Sequence, residues 1–90
     1  MSELFLERDF EKGRSLLDHY EYHMHFAIKF VLEGDFTAAS KHHEEIADAL
    51  KQLGILRDYK RAVDNAAQFY KEVSQRAKWE DVVNGIKGIL

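Results

Sequence analysis

Val31-Leu32-Glu33-Gly34-Asp35-Phe36-Thr37-Ala38-Ala39 is the stretch whose reading decides the fold. An apolar helical pattern runs into a glycine, the next residue is an aspartate, and the pattern resumes. Glycine ends helices because it adopts the left-handed conformation without steric cost. Aspartate begins them because its carboxylate accepts from backbone N–H groups two or three residues on and complements the positive end of the helix dipole. Two helices joined by so short a link must run antiparallel.

The signal recurs along the chain. Asp9-Phe10 is followed by Gly13, Asp35-Phe36 by Ala39, and Asp58-Tyr59 by Ala62, with Gly54 upstream of Asp58. Apolar residues follow each aspartate at alternating steps of three and four. The first row is Phe10, Gly13, Leu17, Tyr20, Met24, Ala27 and Val31, widened by Leu16, Phe26, Ile28 and Phe30. The second is Phe36, Ala39, His43, Ile46, Leu50 and Leu53, and the third Tyr59, Ala62, Ala66, Phe69 and Val73. Such rows form the seams of helix bundles. The spacing predicts helices over 9–33, 35–53 and 58–78, linked by Glu33-Gly34 and Gly54-Ile55-Leu56-Arg57. A weaker segment, 79–90, carries Trp79, Val82 or Val83, Ile86, and Ile89 or Leu90. Gly85 and Gly88 there each cost about 1 kcal/mol in a helix interior, so docking must hold it. The expected fold is all-α: one domain, 1–90, forming an up-and-down antiparallel three-helix bundle with a short fourth C-terminal helix.

His23 to Ala47 resembles a tetratricopeptide helix hairpin. Ala27, flanked by Phe26 and Phe30, sits at the close-contact position, Gly34-Asp35-Phe36 matches the turn, and Ala39 and Ile46-Ala47 match the second helix. His43 stands where the family has a larger apolar residue, and no proline closes the unit. With one more helix carrying Gln68, Tyr70 and Arg76, the chain also resembles the microtubule-interacting-and-transport domain, a three-helix bundle that binds helical peptides. These resemblances imply partner binding rather than catalysis.

Composition narrows the function. Ninety residues without cysteine exclude disulfides, thiolate chemistry and iron–sulfur clusters, and a cysteine-free chain fits the cytoplasm. Proline is absent too, which favours long helices. The net charge is −3, with a small basic excess over residues 57–90, too weak for phosphate neutralisation, so no nucleic-acid partner is expected. No apolar run approaches the roughly 20 residues that span a bilayer, the N-terminus does not read as a secretory signal, and no membrane partner is expected. There is no glycine-rich phosphate loop, and Ser40, His43 and Glu44 within one helical turn do not make a convergent catalytic site. No enzyme activity and no cofactor are expected.

The histidines stand out: His19, His23, His25, His42 and His43. His19 and His23 share a helix face. In a hairpin centred near Gly34, facing residue numbers add up to about 68, which brings His42 and His43 opposite Phe26 and His25, with Glu44 and Glu45 close by. A metal site from His19, His23, His42, His43 and Glu45 is the alternative function. His43, at a seam position, is expected to be buried and neutral, bonded to Tyr20 or Tyr70. The leading reading is an interaction module that binds a protein or peptide helix, or forms a homodimer. Its groove would lie between the first and third helices, around Leu16, Phe26, Phe30, Val63 and Tyr70. The apolar stripe of Trp79, Val83 and Ile86 would fill that groove, in the same chain or in another.

Overall fold

Gly34 reverses the chain as the sequence requires. It adopts a left-handed φ of 78°, its N–H donates to the Val31 carbonyl at 3.1 Å, and the Asp35 N–H reaches back to the Phe30 carbonyl at 2.9 Å. This pair of bonds is a Schellman closure. One residue on, an Asp35 carboxylate oxygen accepts from the Ala38 N–H at 3.1 Å and caps the next helix. The computed structural model describes the backbone of residues 3–89 and the side chains of residues 3–76. A 3-10 turn, Glu7–Asp9, leads into α1, Phe10–Glu33, and α2 runs Phe36–Ile89. Among the described residues there is no strand. The chain divides into two compact units, Met1–Lys60 and Arg61–Leu90.

The expected three-helix bundle with a fourth helix is not formed. Residues 36–53, 58–78 and 79–89 all belong to α2, and the proposed link 54–57 is helical. Gly54 carries no positive φ and lies in open space. A helical glycine costs only about 1 kcal/mol against alanine. Leu53 and Leu56, on either side of it, are buried, and burial of such side chains contributes roughly 1.5–3 kcal/mol each. Packing therefore outweighs the glycine, and Asp58 sits inside a helix. The three-helix layout implied by the second resemblance needs a reversal at 54–57 that this chain does not make. Asp9 precedes α1 but makes no side-chain cap bond. The chain enters from the 3-10 turn, closed by the Asp9 N–H to the Leu6 carbonyl at 2.8 Å.

In the first unit, α1 packs on the early turns of α2 through Ala39, His42, Ile46, Ala49, Leu53 and Leu56, again at steps of three and four. The expected row shares Ala39, Ile46 and Leu53, but its Phe36, His43 and Leu50 are exposed. Ala49 is 1% exposed and its larger neighbour Leu50 is 50%. Small residues, Ala27, Ala39 and Ala49, mark the close approach, and larger neighbours are left outside.

At the open end of the hairpin the core is Phe5, Leu53 and Leu56, with Phe10, Leu16 and Leu17 packed against it. The Phe5 ring lies over Gly13, where an added Cβ would stand 2.7 Å from the ring. The Arg57 guanidinium donates to the Glu3 and Leu4 carbonyls at 2.7 and 3.4 Å, and Arg8 lies over the Tyr59 ring at 4.7 Å. These contacts hold the N-terminal segment across both helices.

The two aspartates should behave differently. Asp35→Ala removes a cap and is expected to lower stability by about 0.5–2 kcal/mol, whereas Asp58→Ala should stay within about 0.5 kcal/mol of the parent in denaturant melts. Equal losses would mean that Asp58 caps a helix after all.

Gly13→Ala tests the Phe5 contact. Alanine favours the helix by up to about 1 kcal/mol, yet here overpacking should dominate, with a net loss of about 1–3 kcal/mol. In a Phe5→Leu background the same substitution should be much less harmful. A stabilising Gly13→Ala in the parent chain would place the ring elsewhere.

Candidate functional site

The antiparallel register set at Gly34 brings two pairs of polar side chains together on one edge of the hairpin. α1 contributes His19 and His23, one turn apart, and α2 contributes His42 and Glu45, three residues apart. His19 Nε2 lies 3.1 Å from a Glu45 carboxylate oxygen, and His23 Nδ1 lies 2.7 Å from His42 Nδ1. The His19 and His23 rings meet edge-on at 4.2 Å. His42 stacks on Phe26 and Phe30, with centroids 5.6 and 5.5 Å away. His23 and His42 are half-buried; His19 and Glu45 are exposed.

The His23–His42 contact constrains protonation. Two ring nitrogens at 2.7 Å share one hydrogen, so one must accept and cannot itself be protonated. Partial burial between the helices, then the proximity of His19 and of His42, lowers the His23 pKa below its ordinary value, against a smaller upward pull from Glu45.

Of the residues expected at a metal site, His19, His23, His42 and Glu45 meet. His43 does not: it is exposed on α2 and makes none of the contacts that join the other four. It is therefore not a buried core imidazole. The half-buried histidine is its neighbour His42, one position round the helix, which takes the seam position. Sequence spacing allows either step after Ala39, and the aromatic pair Phe26 and Phe30 on the facing helix was the available signal for His42.

The residues expected to line a groove are divided between the two units. Leu16 packs against the Phe5 core, and Phe26 and Phe30 both pack against His42. Val63 and Tyr70 lie on α2 in the second unit, both exposed. Among the described residues no separate third helix exists to make a wall. The side chains of Trp79, Val83 and Ile86 lie outside the described residues.

In the second unit the side chains of 61–76 are exposed apart from half-buried Ser74. Ala62, Val63, Ala66, Phe69, Tyr70 and Val73 fall on one face of α2 by helical spacing. Phe69 is 68% exposed and Tyr70 74%. No helix among the described residues is long and apolar enough to cross a membrane. Comparisons with protein-family models, with curated proteins and with solved structures return no match.

The lowered His23 pKa has a definite sign. A histidine whose folded pKa lies below its unfolded value near 6.5 stabilises the fold above that pH. The contribution is lost as pH falls through the folded pKa. A ring-proton NMR titration should place His23 below the ordinary histidine value, and His42→Gln should move it back up. A His23 that titrates at or above the ordinary value would contradict the geometry.

Proposed function

We propose that this chain is a non-enzymatic helical interaction module that self-associates, residues 62–73 of α2 pairing antiparallel with the same residues of a second copy. The observation that carries the reading is the exposed apolar face of Ala62, Val63, Ala66, Phe69, Tyr70 and Val73. Six such residues on one face of about three turns exceed what a solvated helix surface needs.

The face favours its own copy as occupant. It is small at one end, Ala62 and Val63, and large at the other, Phe69 and Tyr70. Antiparallel pairing about a two-fold axis between Ala66 and Ala67 sets large against small at both ends, while parallel pairing stacks the large residues together and leaves the small end open. The two central alanines permit close approach. The flanks agree: Arg61 and Glu72 lie equally far from the midpoint, so each copy's Arg61 approaches the other's Glu72. An isologous contact needs this self-complementarity. Burial of Phe69 alone would contribute roughly 1.5–3 kcal/mol. A cytoplasmic location rests on the cysteine-free composition.

Light scattering after size-exclusion chromatography should give a dimer mass for the intact chain and a monomer for Phe69→Glu. The parent has no cysteine, so single cysteines report direction cleanly. Ala66→Cys should cross-link two copies on oxidation. Val73→Cys should not, because antiparallel copies hold position 73 about 20 Å apart along the axis. A chain monomeric up to roughly 100 µM, or one cross-linked efficiently at position 73, would overturn this pairing.

A further inference from the structure

The histidine edge of the hairpin is remote in sequence from the self-association face and plays no part in it. We propose that His19, His23, His42 and Glu45 form a binding site for a divalent transition-metal ion of the zinc class, held across α1 and α2.

The donor set is suited to such an ion. Three imidazoles and one carboxylate match the nitrogen and oxygen ligands of zinc, and imidazole also suits cobalt, nickel and copper. The spacing is set by the fold rather than by a flexible loop. His19 and His23 are one turn apart on α1, His42 and Glu45 are three residues apart on α2, and the Gly34 turn fixes the register between them. One ligand atom each from His19, His23 and Glu45 already lie within 4.8 Å of one another. His42 is tied to this group through its Nδ1, 2.7 Å from that of His23.

A tetrahedral zinc ion bound at about 2.0–2.1 Å holds its ligand atoms about 3.3 Å apart. The His19–Glu45 distance of 3.1 Å is close to that. The His23 and His42 nitrogens, now 2.7 Å apart, need to part by about half an ångström, and His42, which lies outside the group of three, must also turn toward His19 and Glu45 to complete the set. The ion would take the place of the one hydrogen that His23 and His42 now share, which moves to the Nε2 of the ring that carried it, so that each neutral ring donates an Nδ1 lone pair. Packing of His42 against Phe26 and Phe30 restrains its ring before any ion arrives, the role that surrounding groups play at metal sites. A carboxylate and three neutral rings leave a bound Zn²⁺ with a single net positive charge on an open edge of an acidic chain, whose formal charge is −3.

The experiment uses the full, tag-free chain with zinc and cobalt salts as probes. Calorimetric titration should show one zinc per chain and a raised Tm, and cobalt should give the intense visible absorption of tetrahedral rather than octahedral coordination. His19→Ala, His23→Ala, His42→Ala and Glu45→Gln should each weaken zinc binding more than about ten-fold. His25→Ala and His43→Ala, outside the cluster, should leave it unchanged. Circular dichroism of each variant without metal separates lost ligation from lost folding, and Glu45→Gln, on an exposed position, should keep the helices intact. Absence of stoichiometric zinc binding overturns the proposal. So does binding that survives Glu45→Gln or His42→Ala within about two-fold, since that is an ordinary surface pair of histidines.

Discussion

The left-handed conformation at Gly34 is the constraint on which the first unit depends. It stops α1, reverses the chain within two residues, and hands the next residue to Asp35 as a cap. Because the link is so short, the register of the two helices has almost no freedom. Phe26 therefore faces His42, His23 meets His42, and His19 meets Glu45. The same register slides Leu53 and Leu56 to the far end, where Phe5 covers them. Any residue but glycine at position 34 would have to adopt a positive φ, which L side chains rarely do.

Gly34, directly before Asp35, and Gly54, four residues before Asp58, both read as breaks in the sequence, and only one of them ends a helix. At Gly34 the Schellman bonds and the Asp35 cap act together, and the apolar faces on either side need a reversal to find each other. Gly54 has no cap at the following residue, and its neighbours Leu53 and Leu56 already pack on Phe5 with the helix unbroken. The all-helical class, the first helix and the first turn were thus legible from local chemistry. The continuity of α2 was not, because it is decided by a contact with residue 5, some fifty positions away in the chain.

The histidine cluster was legible in part for a related reason. Helical periodicity admits a step of three or of four from Ala39, and the alternation carried on from Phe36 selects His43 and Leu50. The helices instead approach through alanines, which selects Ala49 and His42. One rotation of the seam by a single position accounts for Phe36, His43 and Leu50 on the outside and for His42, Ala49 and Leu56 within. His19, His23 and Glu45 lie together because the hairpin register depends on the turn.

The Phe5 plug has a kinetic consequence. Contacts of the first unit are graded by separation along the chain: the turn at Gly34 spans a few residues, His23 to His42 spans nineteen, and Phe5 to Leu56 about fifty. Loop-closure entropy grows with the logarithm of the closed length, so forming the widest contact first is disfavoured by about 0.9 kcal/mol relative to the histidine pair. Growth of the hairpin outward from Gly34 removes that penalty, because each new contact then closes only a short remaining loop. The expected order of assembly is turn, histidine edge, then Phe5 over Gly13. The ring would lock last and open first, making the N-terminal segment the place where hydrogen exchange begins.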